Sequence, residues 1–480
     1  MDKVMAWQNN TGKIRLFGVI LILIAESTGF VFSQSSIRHT AYRLELAGSS
    51  SSDDKSAFWL QNNQNGTVAF QPNSVGFSAA LFKAADTNTR IFDYGFKVDA
   101  RLQIADNLRI FFPEIYLNAR LKMFELKVGR SIELFGNQDS ILSEGGLLFS
   151  QNALPIPSVS AGMPQFTTVP YTFNLLEIKG AIIHGYFTDN IAAKNMLLHH
   201  KFAYVRAGGR FPVHIQYGLH HVAQWGGFVP ELGQQPVGLD NFLKIFLVKS
   251  GGDDALVTDQ INRLGNHIIS QNLKVELDLP VFQVDAYWQN IAEDGPVRFI
   301  TKTMNVNDGL WGLALKSDRF PAVKRILYEY LNTTDQSGPY HDKDGIVYGG
   351  GDSYFLNGVY QTGWTYFSRT IGTPFITSPA YSGTFQTKNN RVQVHHFGIN
   401  GEIKAVNYKM LLSFSKNYGT YGQPISPMKN GNMFLLEMSR KFPSLSNVEA
   451  AVSLAADRGS MYGNNTGFMI RLVKTGNFLK

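Results

Sequence analysis

"HIQYGLHHVAQWGG", residues 214–227, alternates in character from one position to the next. Ile215, Tyr217, Leu219, Ala223 and Trp225 are apolar or amphipathic, whereas His214, Gln216, Gly218, His220 and Gln224 between them are mostly polar. A repeat of two residues marks a β-strand with unlike faces. A strand of a soluble sandwich and a strand of a membrane barrel look the same locally. The rest of the chain has to choose between them.

The alternation recurs along the chain. In "FKVDARLQI", Phe96, Val98, Ala100, Leu102 and Ile104 alternate with Lys97, Asp99, Arg101 and Gln103. In "AVNYKMLLSFS", Val406, Tyr408, Met410, Leu412 and Phe414 alternate with Asn407, Lys409, Ser413 and Ser415. "MFELKVGR", "VEAAVSLAADRG" (Val448 to Gly459) and "GFMIRLVK" repeat the pattern. These lengths suit a tilted membrane strand of about 9–11 residues. Aromatics near the strand ends (Phe96, Trp225, Phe414) suit interfacial girdles, and charges of both signs on the opposite faces suit a wet lumen.

The start of the chain reads as an export signal. Lys13 and Arg15 precede "LFGVILILIA" (Leu16 to Ala25), and small and polar residues follow, with cleavage expected after Ser33. That apolar run is too short for a membrane-spanning helix, which needs about 20 residues. Residues 34–480 are then expected to form one domain, because no linker divides them and "GSSSSDD" (Gly48 to Asp54) reads as a turn or loop. There is no cysteine, which excludes a lipoprotein anchor and a disulfide framework. An aromatic content of 13% with 45 glycines leans towards an all-β body. The expected fold is therefore a large antiparallel transmembrane β-barrel in the outer membrane. On that reading Ile215, Tyr217, Leu219, Ala223 and Trp225 face lipid, with Trp225 at an interface, and His214, Gln216, His220 and Gln224 face the lumen. His221 falls on the lipid side, marking a bulge or the strand's emergence from hydrocarbon.

The net charge of +7 is modest, and the Lys and Arg residues are dispersed, so no nucleic-acid partner is expected. An exported basic surface can meet anionic lipopolysaccharide or acidic glycans, or simply water.

One stretch breaks the strand rhythm. In Gly238 to Ile268, Phe242, Ile245 and Phe246 stand at helical spacing. After "SGGDD", Leu256, Gln260, Ile261 and Leu264 repeat it, with Asp253 or Asp254 as N-cap and Gly265 as stop. Two short helices are expected in a long outward loop, folded over the mouth or lying flat on the outer leaflet with Lys244 and Lys249 towards headgroups.

The chain resembles the outer-membrane capsule-assembly Wzi family. The resemblance rests on "FPVHIQYGLHHVAQWGG", "QINRLGNH" (Gln260 to His267), "LYEYLNTTDQSGP" (Leu327 to Pro339), "GVYQTGWTYFSRTIGTPF" (Gly358 to Phe375) and "LSEGGLLFSQNALPIPSV" (Leu142 to Val159). It implies a barrel of about 18 strands with a small helical bundle and a role in holding capsular polysaccharide at the cell surface. Residues 34–70 offer at most one helix, around "DDKSAFWLQNN", where that bundle belongs.

The pairs His199–His200, His220–His221 and His395–His396 point to opposite faces of a strand, so neither member helps the other chelate a metal. "HDKDGIVYGGGD" (His341 to Asp352) holds Asp342, Asp344 and Asp352 but has Ser353 where a calcium loop needs its bidentate Glu. No metal and no cofactor is expected. No G-x-S-x-G elbow, P-loop or H-E-x-x-H motif is present, so the chain is read as a non-enzyme, a lipid-modifying barrel being the enzymatic alternative. Sugars offer hydroxyls and an apolar C–H face, which aromatic, amide and Arg groups recognise together. His220, Gln224 and Trp225 form one such set, and Trp364, Tyr366 and Arg369 another; Trp311 is a further candidate. For each tryptophan the competing reading is an interfacial anchor.

The expected function is binding or anchoring of capsular or extracellular polysaccharide; the alternative is a porin-like channel for small solutes. Outer-membrane lipid, lipopolysaccharide and the outer-membrane assembly machinery are the other expected partners, with Phe478 as the aromatic that the machinery reads.

Overall fold

The computed structural model describes residues 40–477 apart from 87–90, 192, 294–304, 306, 337–340, 344–345 and 349–352. The expected signal (residues 1–33), Phe478, and Asp344 and Asp352 of the weighed calcium loop lie outside the described residues.

Eighteen strands close one antiparallel barrel. The first half comprises β1 (Ala41–Ser51), β2 (Ser74–Lys83), β3 (Phe92–Ile104), β4 (Leu108–Leu121), β5 (Phe124–Arg130), β6 (Ser158–Thr168), β7 (Leu176–Tyr186), β8 (Leu197–Ala207) and β9 (Val213–Trp225). The second comprises β10 (Asn266–Asp278), β11 (Gln283–Glu293), β12 (Gly309–Lys316), β13 (Arg325–Asn332), β14 (Val392–Ile403), β15 (Val406–Gly419), β16 (Pro424–Phe442), β17 (Val448–Arg458) and β18 (Asn465–Asn477). Each strand pairs with the next, and β1 pairs with β18, Ser51 opposite Gly467 and Ala41 opposite Asn477. Closure leaves no open sheet edge, as a wall in hydrocarbon requires. Gly48 to Ser51, expected in a turn, belong to β1, because they continue its pairing with β2 and β18 before the chain leaves the sheet.

Connections at the end that holds both described termini are short, for example 122–123, 208–212 and 404–405. The opposite end carries the long ones, 52–73, 131–157, 226–265 and 333–391. Outer-membrane barrels place short turns inside the cell envelope and long loops outside it.

The period-two pattern sorts as expected. Leu44, Leu46, Leu126, Val128, Phe414, Val452, Leu454, Phe468, Ile470 and Leu472 face outward and are exposed, while Glu45, Ser413, Ser453, Ala455 and Met469 face inward and are buried. Facing inward, in the half nearer the short turns, ion pairs link neighbouring strands: Arg206–Glu177 (2.6 Å), Lys274–Asp285 (3.0 Å) and Lys409–Glu437 (3.4 Å).

Inward glycines make room for aromatic rings. A Cβ on Gly312 of β12 would sit 2.0 Å from the Tyr287 ring, which crosses that spot to donate its hydroxyl hydrogen to Glu329 of β13. Replacing Gly312 with Ala is expected to displace the ring and destabilise the barrel by about 1–3 kcal/mol. Urea unfolding of the purified protein, followed by heat-modifiable gel mobility, measures it; an unchanged midpoint would remove this packing argument.

Candidate functional site

The end with long connections is filled from within. Segments 52–73, 131–157 and 353–391 turn into the lumen and meet in one apolar cluster. Its centre is the short helix α1 (Phe58–Gln61), the one helix among the described residues of the 34–70 stretch. The Phe58 ring lies 5.0 Å from Phe375 and 4.9 Å from Tyr462. Leu142, Leu147, Tyr354, Phe355 and Trp364 are fully buried around them.

A plug of irregular backbone must find partners for its amides inside the wall. The inward polar residues supply them. Glu329 of β13 accepts from Ser143 Oγ and Glu144 N, both at 2.7 Å, and Gln289 of β11 accepts from Leu147 N at 2.9 Å. Asp457 of β17 accepts from Phe58 N at 2.8 Å, and Ser413 of β15 accepts from Trp59 Nε1 at 3.2 Å. The His396 ring of β14 bonds both the Leu142 carbonyl and Ser413, each at 2.7 Å. Arg325 of β13 donates to Asp139 at 2.8 Å. The plug is thus fastened along the arc of the wall from β11 to β17.

One fastening is sensitive to protons. The Glu144 carboxyl is fully buried, and burial, then the neighbouring Glu329 charge, pushes its pKa well above the ordinary 4.5. A carboxyl raised on folding gives its full stabilisation below that ordinary value and loses it as pH rises. The plug is therefore expected to become more protease-sensitive on alkalinisation, and Glu144→Gln to flatten that dependence. Equal cleavage of both proteins at every pH would refute the assignment.

The sugar-binding candidates occupy three different places. His220 faces the lumen and bonds His200 (2.9 Å) and the Tyr204 hydroxyl (2.6 Å). Gln224 joins wall to plug, donating to Gly363 O at 3.0 Å and accepting from Asn266 at 2.9 Å. Trp364, Tyr366 and Arg369 lie inside the plug: Tyr366 meets Arg130 (2.9 Å), and Arg369 donates to Gln61 (3.2 Å) and Val68 O (2.6 Å). All five are buried, so they present no ring face or free amide to the outside. Trp311 faces outward at the long-loop end, opposite Trp288 and 5.9 Å from Tyr330, in the position of an interfacial anchor.

Trp225 is on the outward face, as the alternation predicts, yet only 3% exposed. Its cover is helix α2 (Leu239–Leu247), which docks Phe242 and Ile245 against Trp225, Ala223 and Leu264 on the outside of the wall. Ile215, Tyr217 and Leu219 continue the strand towards the uncovered belt, so lipid is replaced by protein from His221 upward. His221 is not a bulge, since its register with β8 and β10 is unbroken. It stacks on His267 at 5.1 Å beneath the helix loop. His199 lies on this outer side and His200 in the lumen, so the pair divides between the faces. Helix α3 (Val257–Ile261) begins later than expected: its N-cap is Leu256, not Asp253 or Asp254. Asp254 instead accepts from Asn241 at 2.8 Å, and Gly265, rather than stopping the helix, precedes β10 with φ +86°. Folded over the mouth was the other expected place for these helices; the plug takes that space.

The candidate sugar set as a whole did not point to the segments that fill the lumen. The legible signal was "SEGGLLFSQNALPIP", an apolar stretch with no strand period. Among the described residues no group of His, Asp or Glu is arranged to hold a metal ion.

Comparison with known proteins adds the following. A family profile described as "Capsule assembly protein Wzi" matches residues 48–378, more than half of the chain. No curated protein matches. Among solved structures the chain is similar to Wzi of Escherichia coli, described as an outer-membrane protein involved in group 1 capsule assembly and a carbohydrate-binding β-barrel. The TM-score is 0.58 at 11% identity, covering 93% of this chain and 86% of that one. It is also similar to OccK5 (OpdH) of Pseudomonas aeruginosa, with TM-score 0.47, 8% identity, and coverage of 92% and 98%. OccK3 (OpdO) of the same organism gives 0.47, 11%, 92% and 97%. At these identities the likeness is one of fold.

Proposed function

The chain belongs to the capsule assembly protein Wzi family, and from that premise we propose that it holds capsular or extracellular polysaccharide at the cell surface. It is an outer-membrane β-barrel. The observation that carries the binding reading is the plug: an 18-stranded wall encloses enough space for an aqueous channel, and here packed side chains occupy it. A barrel filled in this way is suited to holding a ligand rather than passing solutes, and we read it as a binding protein, not an enzyme.

Export by the signal in residues 1–33 and insertion through Phe478 by the assembly machinery complete the proposal. Of the sugar-binding candidates, His220, Gln224, Trp364, Tyr366 and Arg369 would act by shaping the plug beneath the outer surface, and Trp225 and Trp311 by seating the barrel. Outer-leaflet lipid is the natural neighbour of helix α2. It exposes Leu239, Leu243 and Leu247, four residues apart and so on one side, beside the apolar belt of the wall. Exposed Lys249 at its C-terminal end suits anionic lipopolysaccharide.

Deleting the gene tests the function. The cells are expected to shed glycan into the medium while total glycan synthesis stays level. Glycan still attached to the deletion strain, or a parallel fall in synthesis, would contradict retention.

A further inference from the structure

The apolar belt of the wall ends towards the long loops, and on neighbouring strands the outward residues just past that edge are basic or amide. On β15, Leu412 and Phe414 are followed on the same face by Lys416. On β16, Leu436 and Phe434 give way to Asn432 and Asn430, and on β17, Leu454 and Ala456 give way to Arg458. The register sets these side by side: Lys416 stands opposite Asn430, and Asn432 opposite Arg458. Lys416 and Arg458 are two strand spacings apart, about 10 Å across the sheet, with the two asparagines between them. Gln393 of β14 pairs with Lys416 on the other side.

The charge on this face is not neutralised. Lys416 and Arg458 are exposed, and neither forms an ion pair among the described residues. Arg458 donates through Nη1 to two carbonyls, Asp457 O at 2.8 Å and Asn465 O at 3.3 Å, which fix the guanidinium at the edge without cancelling it. Gln393 accepts from the Tyr418 hydroxyl at 3.1 Å, so its amide hydrogens point to an outside acceptor. The one acidic residue in the long-loop half of β14–β17 is Asp457, which faces inward and holds Phe58 N. The α2 loop, by contrast, mixes Lys244 and Lys249 with Asp240, Asp253 and Asp254.

We infer that the outward face of β14–β17 is a binding site for the phosphates of a phosphorylated glycolipid of the outer leaflet. The position decides between anions. These side chains follow directly on Phe414, Phe434 and Ala456, so whatever meets them has its apolar part against the belt and its charge at the hydrocarbon edge, as a lipid does and a free polysaccharide does not. Lys416 and Arg458 supply charge-assisted donors to phosphate, and the Asn430, Asn432 and Gln393 amides donate to phosphate or sugar oxygens around it. The inference rests on the outer-membrane placement of the barrel, not on polysaccharide retention.

The test titrates the purified full-length barrel, in detergent with EDTA so that no divalent cation bridges the partners, with bisphosphorylated lipid A and with dephosphorylated lipid A of the same acyl chains. Native mass spectrometry reads the bound fraction. The parent is expected to prefer the phosphorylated form. Lys416→Gln and Arg458→Gln are each expected to weaken its binding about fivefold, and together about thirtyfold, with the dephosphorylated lipid unaffected. Lys416→Arg should bind as the parent does. Arg440→Gln, which removes an exposed outward cation at the short-turn end of β16, should also leave the affinity unchanged. Heat-modifiable mobility establishes that each variant is folded. Equal binding of the two lipids by the parent, or a folded double variant that binds as the parent does, would overturn the inference. So would displacement of lipid A by galacturonic acid trisaccharide, which carries carboxylates and no acyl chain and would make the face a glycan site.

Discussion

Replacing residues 133–155 with a short turn is expected to convert a barrel that passes almost no current into a steady channel. Conductance in a planar bilayer should rise by at least roughly tenfold, because an emptied barrel of this strand number leaves an aqueous pore. The segment joins β5 to β6, whose facing residues Gly129 and Ser158 are already paired, so a tight turn can bridge the gap. It carries Leu142, Leu147, Leu148 and Leu154 of the plug core and the amides held by Glu329 and Gln289. Removing it leaves α1 and the 353–391 segment without their shared face. Deleting Asn241 to Asn262 is the contrasting experiment. Helix α2 packs outside the wall, so its loss should leave the current at the parental level, with at most a weaker hold on the membrane. A parent protein that already conducts freely would invalidate the plugged-barrel account and favour a porin.

The contrast between these two deletions shows what a sequence of this kind discloses. Strand faces are written locally: Leu126 against Glu125, or Leu454 against Ser453, differ because one meets hydrocarbon and the other the lumen. The helical spacing of Phe242, Ile245 and Phe246 is equally local. Where those elements go is not. Phe242 needs an apolar partner, and both the inside of the barrel and the outer wall near Trp225 could offer one. The covering of Trp225 and Ala223 by Phe242 and Ile245 is a tertiary event between a strand and a helix that follows it in the chain, and alternation alone assigns both to lipid. The plug was hidden for a related reason. Leu142, Leu147 and Trp364 are buried by each other in irregular backbone, which has no period to detect. Aromatic and Arg residues there resemble a sugar site because the chemistry that satisfies a buried plug, rings stacked on rings and guanidinium on carbonyls, is the chemistry that binds glycans.

Replacing Arg369 with Ala is expected to loosen the plug more than any other single change inside it. The guanidinium is buried between two lumenal segments, where it donates to the Gln61 carbonyl and side chain and to the Val68 carbonyl, and its centre lies 3.8 Å from the Phe70 ring. Burial lowers its pKa to about 9, still above neutral, so the group is a cation held by neutral acceptors and a ring face. Hydrogen bonds to a charged group contribute about 1.5–3 kcal/mol each, and truncation leaves buried carbonyls unpaired. Even after discounting for water that enters the gap, a local loss of about 3 kcal/mol follows. The segments 61–70 and 365–370 should then part often enough for protease to cut the plug and for bilayer currents to flicker. Arg369→Lys retains the charge but not the planar fork, so it cannot reach Gln61 and Val68 together and should rescue little. A stably closed, protease-resistant Arg369→Ala barrel would mean that the aromatic cluster around Phe58 and Phe375 holds the plug alone.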